Sequence, residues 1–443
     1  MLRREAADLY IWNRLNSCLF LLARPARRFF RMPALGPSDP LFALGRPMRR
    51  VTMDVIPEGL EDCRASGEPR VWRGRRSGSV RTTKGFFSMA KAKATDGKKL
   101  RVGIIGAGGI AGTHTDNFKK FSDVEVVAAC DVREEALKKF GEKYGIKHLF
   151  SGWKEMLQKV ELDAVSVCTP NGLHWEPTVD ALNAGCHVLV EKPLAMNAAE
   201  GQKMLDAAKA NKKQLVIAFQ HRFDGKTQVI RRAFDKGVFG KVLFVRVQAL
   251  RRRGIPNWGV FGRKELQGGG PLIDIGVHCL EMAHYAIGTP QPVAASGKTW
   301  TYMGNKPSDT FCMWPNWDYK TYNVEDLAVG HIRMKNGAVI HIESSFATHI
   351  EKDLWTFQVF GTKGGATYDP CQIFTDMAGT MVNCTPGYIP RVEIFPHKMR
   401  QFVDVCLYGK KSDSPAEHGL MVQKMLDGIY QSSEQGGKEV LIP

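Results

Sequence analysis

The sequence predicts an α/β protein in two parts: a parallel sheet covered on both faces, then a second α/β domain built on a large, mostly antiparallel open sheet. Three observations predict it. From Leu100 onward, short β-branched runs alternate with amphipathic segments, and continuous apolar strands separated by helices belong to a sheet buried on both sides. After about residue 222 the strand-like runs lengthen and partly alternate polar with apolar, the pattern of strands with one wet face. A chain of 443 residues is also longer than one ordinary core organises.

The elements follow in order, beginning with residues 1–98. Of the net charge of +17, +9 falls in residues 1–88, which hold 16 Arg, one Lys and 8 acidic residues; from Met89 onward the cations are 13 Arg and 32 Lys. Clusters such as RPARRFFRMP and WRGRRSGS carry no period of 3.6 or 2. This stretch reads as a basic, disordered extension or as the product of a start placed too far upstream, with AKAKATDGKK after Met89 as the natural polar terminus. A targeting leader fits poorly, because CLFLLA is short for an h-region and follows Asp8 and Arg14. The extension shows no helix-turn-helix pattern and no aromatic interleaving, so no nucleic-acid partner is expected. No run approaches the roughly 20 apolar residues of a membrane span. Ten scattered cysteines without a C-x-x-C pair suit a reducing, cytoplasmic compartment.

The first domain, residues 99–222, carries the strands LRVGIIG, VEVVAACD, DAVSVCT, HVLVEK and QLVIAF. The first runs into GAGGIAG at the opening of a helix, where Gly106 permits a tight turn, Gly108 admits a pyrophosphate to the backbone, Gly109 and Ile110 are further cofactor candidates, and Ala111 packs the helix on the sheet. Asp131 closes the second strand about 20 residues on, where a carboxylate accepts from ribose hydroxyls and repels a 2′-phosphate. NAD is therefore favoured over NADP. Thr169, Asn171 and His174 in CTPNGLHW follow another strand end and are cofactor candidates; the ordinary alternative is a helix cap by Asn171 and a surface histidine. In VLVEKPLA, Glu191 and Lys192 end a strand of the same sheet and are both cofactor candidates; Lys192 would meet the nicotinamide end and a bound hydroxyl, with a cis Pro193 aiming it. The competing interpretation is a surface ion pair beside a turn proline.

The second domain, residues 223–443, has strands at KVLFVRVQALR, DLAVGHIRM, AVIHIESSFAT and LWTFQVFGT, with Asn336-Gly337 as a hairpin signal. In GGGPLIDIGVHCLE, Asp274 and His278 are four apart and share a helix face. A core hydrogen-bonded pair would look the same, and a metal is discounted because no further ligands cluster nearby. Substrate contacts are expected from Gln220 and Arg222 in FQHRF and from Trp258, which offers a face to a sugar ring. Arg251, Arg252 and Arg253 suit an acidic sugar or, as charge runs commonly do, a solvated rim or a subunit contact.

The glycine loop, Asp131, CTPNGLH, EKP at residues 191–193 and D-x-x-x-H at residues 274–278, in this order, resemble the Gfo/Idh/MocA oxidoreductases, which include glucose-fructose oxidoreductase and inositol dehydrogenase. The resemblance covers about residue 99 to the end. It implies an amino-terminal Rossmann domain, a carboxyl-terminal substrate-binding and oligomerisation domain, a nicotinamide cofactor, and a homodimer or homotetramer. It also implies that Lys192 and His278 serve proton transfer and substrate positioning, with Asp274 touching substrate or orienting the histidine. The family often has aspartate where this chain has Glu281. The expected activity is NAD-dependent oxidation of a sugar or polyol hydroxyl, His278 taking the proton, Lys192 stabilising the oxygen and Asp274 holding His278. The alternatives are a glycosidase with a closed NAD redox cycle and a sugar-sensing regulator without catalysis.

Overall fold

The computed structural model describes residues 99–443; the expectations for residues 1–98 lie outside the described residues. The first domain runs β1 (Leu100–Ile105), α1 (Gly109–Phe118), β2 (Val124–Cys130), α2 (Glu134–Tyr144), β3 (His148–Phe150), α3 (Trp153–Lys159), β4 (Ala164–Val167), α4 (Trp175–Asn183), β5 (His187–Val190), α5 (Ala198–Ala210) and β6 (Leu215–Ile217). Its six strands pair in parallel in the order β3-β2-β1-β4-β5-β6. Val102, Ile104, Val165, Val188 and Leu189 are fully buried although they point to alternate faces, which is why these strands read as unbroken apolar runs. Strand β3 is only three residues long and left no such run. Strand order reverses between β1 and β4, and this switch opens a crevice at the carboxyl ends of the strands.

The second domain contains α6 (Gly225–Asp235), β7 (Val242–Leu250), α7 (Lys264–Gln267), a π-helical turn at Leu272–Gly276, α8 (Val277–Ala286), β8 (Pro292–Trp300), β9 (Leu327–Met334), β10 (Val339–Ser345), β11 (Leu354–Gly361), β12 (Gly364–Thr367), β13 (Gln372–Met377), β14 (Thr380–Cys384), α9 (Ile394–Tyr408), α10 (Ala416–Glu434) and β15 (Val440–Leu441). The nine strands form one mixed sheet in which only β7 and β10 are parallel neighbours. The Asn336-Gly337 signal is realised between β9 and β10, with Gly337 at φ +87 and its N–H donating to Met334 O at 2.9 Å. One element crosses back. Met399, Phe402 and Val403 of α9 share a core with Val102, Ile104 and Phe118, so a chain boundary near residue 222 does not divide the packing.

Candidate active site

The turn after β1 is built as the glycine pattern requires. Gly106 sits at φ +90, and a Cβ there would lie 2.8 Å from Cys168 O, so only glycine fits. A Cβ on Gly108 or Gly109 would meet nothing within 4 Å among the described residues. That open space faces the start of α1, which no side chain caps, and uncapped N–H groups at a helix start suit a pyrophosphate. Asp131 stands at the end of β2, where its Oδ2 accepts from Ala107 N at 2.7 Å and its Oδ1 from Arg133 N at 2.8 Å. Burial acts to raise this carboxyl, but the Arg133 side chain and the two N–H groups outweigh it and hold the pKa below the usual value. These residues fit a dinucleotide with its ribose near Asp131.

Strand β5 delivers Lys192 to the crevice, and the Lys192–Pro193 bond is cis. Lys192 Nζ donates to Asp274 Oδ1 at 3.0 Å and to Asp274 O at 3.1 Å. This corrects the expectation that Asp274 holds His278. Leu272–Gly276 form a π turn, and its wider turn breaks the i, i+4 alignment that an α-helix would give. His278 is instead bracketed by rings: His221 lies edge-on at 5.0 Å and Trp355 at 6.2 Å. Burial, then the Lys192 and His221 charges, hold the His278 pKa well below its usual value, so the imidazole is neutral near pH 7. Its Nδ1 is buried without a hydrogen-bond partner among the described residues.

Glu191 turns away from the crevice into a buried charge cluster. Its Oε1 accepts from Lys398 Nζ at 2.9 Å and lies 2.8 Å from His114 Nε2, while His114 Nδ1 lies 2.8 Å from Ser166 Oγ. Burial would raise the Glu191 carboxyl; Lys398 and His114 reverse that and hold it well below the ordinary range. The carboxylate is held by protein groups, its Oε2 also accepting from Lys192 N at 3.2 Å.

Other candidates act as fasteners. Asn171 Nδ2 donates to Gln267 O at 3.0 Å, and buried His174 lies 2.8 Å from Pro193 O and 3.0 Å from Thr169 O, tying two strand-end loops together. At 1% exposure His174 is not the surface histidine of the alternative reading of CTPNGLHW. Thr169 Oγ1 donates to Leu173 O at 2.7 Å. Arg222 is 0% exposed and pairs with Glu281 at 2.7 Å, and it also donates to Asp413 O. It is therefore a core ion pair and not a substrate contact. Gln220 is buried beside it. In FQHRF the short helix Gln220–Phe223 turns the intervening His221 toward His278 instead. His221 was within reach of sequence reasoning, since it lies between the two residues chosen. Trp355, His114 and Lys398 offered no local signal. Trp258 is 49% exposed on the loop after β7. Arg252 and Arg253 donate to Glu351 O and Thr348 O, fastening loops.

A dinucleotide turn, a lysine at a strand end and a half-buried neutral histidine, on a parallel sheet joined to a large mixed sheet, define a nicotinamide-dependent oxidoreductase. The comparisons identify which kind. Residues 100–219 match the model of the oxidoreductase family, NAD-binding Rossmann fold, and residues 227–367 match the GFO/IDH/MocA carboxyl-terminal domain. The chain belongs to the Gfo/Idh/MocA family, and its cofactor is NAD. It is 39% identical over 340 residues to D-glucoside 3-dehydrogenase of Escherichia coli strain K12, covering 76% of this chain and 96% of that one. It is 30% identical over 267 residues to myo-inositol 2-dehydrogenase of Thermotoga maritima, covering 60% and 74%. The fold is similar to that of levoglucosan dehydrogenase in complex with NADH, at a TM-score of 0.67 and 23% identity over 78% of this chain and 100% of that one.

Proposed function

We propose that the protein oxidises a hydroxyl-bearing carbon of a sugar or polyol to a carbonyl. The observation that carries this reading is the convergence of Lys192, Asp274, His221 and His278 at the carboxyl end of β5. NAD, when bound, accepts the hydride that leaves the carbon. His278, neutral through burial and the neighbouring Lys192 charge, takes the hydroxyl proton. Lys192 Nζ, held by Asp274, donates to the same oxygen and stabilises its developing negative charge. Trp355, packed on both histidines, keeps water from that side. Two relatives that are named as dehydrogenases of a glucoside and of an inositol support a polyhydroxylated substrate. On the outer face of the large sheet Phe244 and Phe360 pack at 5.4 Å, with Phe360 46% exposed, which supports assembly of copies through that sheet. The test is absorbance of reduced nicotinamide when the protein meets NAD with polyols, aldoses, uronic acids and glycosides in turn. A rise with one class is expected; silence with all of them while NAD binds overturns the reading.

A further inference from the structure

The large sheet leads from the reacting centre to a second group of rings. Ala249 of β7 stands opposite Trp355 of β11, and cross-strand partners share a face. Arg251, two residues beyond Ala249, continues the ladder by donating its N–H to Ser345 O at 3.0 Å. It therefore emerges on the face where Trp355 packs against His221 and His278. Its guanidinium carbon lies 5.0 Å from the Trp314 ring centroid, and Trp314 meets Trp258 edge to face at 4.7 Å. Phe261 adds a third ring 6.0 Å from Trp258. The two loops that carry these indoles are joined by Asn257 Nδ2 donating to Pro315 O at 2.7 Å. The Asp274 carboxylate acts on Arg251 against the lowering effect of burial, which places the arginine within the electrostatic reach of the site.

We infer that Trp258 and Trp314 form a second subsite, one that takes a planar or apolar aglycone of a glycoside whose sugar ring is oxidised at His278; this rests on the proposed reaction. A sugar held between Lys192 and His278 would present its outer substituent toward Arg251, whose guanidinium donates to Gly254 O at 3.0 Å and lies over the Trp314 ring. The guanidinium supplies a donor for the bridging oxygen, and the indoles supply area that a free polyol cannot use. Edge-to-face packing of Trp258 on Trp314 leaves ring surface uncovered, consistent with the exposure of Trp258.

The experiment compares phenyl and methyl β-glucoside as substrates of the full chain with NAD. Stacking of one aromatic group is expected to raise kcat/KM for the phenyl compound about 3- to 10-fold, chiefly through KM. Trp314→Ala should bring that ratio close to one and Trp314→Phe should keep most of it, with NAD binding checked in both variants as evidence of folding. Equal use of the two glucosides by the unaltered protein, an undiminished ratio in Trp314→Ala, or oxidation of polyols alone overturns the subsite and leaves the proposed reaction standing. If no compound is oxidised, the reaction reading falls. Binding of phenyl β-glucoside to the NADH-loaded protein, followed by tryptophan fluorescence, then decides the subsite by itself: quenching lost in Trp314→Ala supports it, and no quenching rejects it.

Discussion

At the scale of single residues, position in the contact network decides role more than residue type does. His278 is half-buried and stands edge-on to His221, whereas Arg222 is fully buried and ion-paired with Glu281. His278→Ala should therefore lower kcat by about 100- to 10,000-fold while the NAD dissociation constant changes little; an equal loss of cofactor binding, read by fluorescence titration, would remove the histidine from the chemistry. Arg222→Ala acts differently. It strands Glu281 without its partner, and breaking a buried pair costs about 3–5 kcal/mol, so the effect should appear as a lowered urea midpoint. An unchanged midpoint with a raised KM would return Arg222 to the substrate pocket.

At the scale of elements, the β1–α1 turn separates two uses of glycine. Gly106 is required by the backbone: its φ of +90 and the 2.8 Å approach of Cys168 O leave no room for a side chain. Gly108 has an ordinary φ of −82 and open space in front of it. Gly106→Ala should thus destabilise the fold by roughly 1–2 kcal/mol or more, whereas Gly108→Ala should unfold at the normal temperature but bind NAD more weakly, because its methyl occupies the space reserved for the pyrophosphate. Calorimetric melting and NAD titration of both variants separate these effects. The same logic explains the π turn at Leu272–Gly276. The element carrying Asp274 departs from α-helical geometry, and that departure hands the carboxylate to Lys192.

At the scale of the whole molecule, buried histidines make stability depend on pH on the acid side, partly offset by Glu281, whose carboxyl burial pushes up to about 7. His114, His221 and His284 are each pushed down to about 4, chiefly by desolvation. The unfolded chain, with histidines near 6.5, binds more protons than the folded one between these values. Their contribution is thus fully present above about pH 6.5 and is lost as pH falls toward about 4. Urea midpoints should be level between about pH 7 and 8 and fall steadily at about pH 5.5 and 4.5; a flat profile across that range would mean these rings are not buried in neutral form.

The strand alternation, the glycine loop, Asp131, the hairpin at Asn336-Gly337 and the order EKP then D-x-x-x-H were legible in the sequence, because each depends on neighbours within a few residues or on a fixed local period. The placement of Lys192 at the end of β5 was legible for the same reason. What only the tertiary structure decided are meetings across long separations: Glu191 with Lys398, 207 residues apart, Arg222 with Glu281, and Trp355 with both site histidines. No local pattern encodes which buried charge finds which counter-charge. That choice follows from how α9 folds back on the first sheet and how the large sheet presents β11 to α8, and it is what made Arg222 a core ion pair and set His221 beside His278.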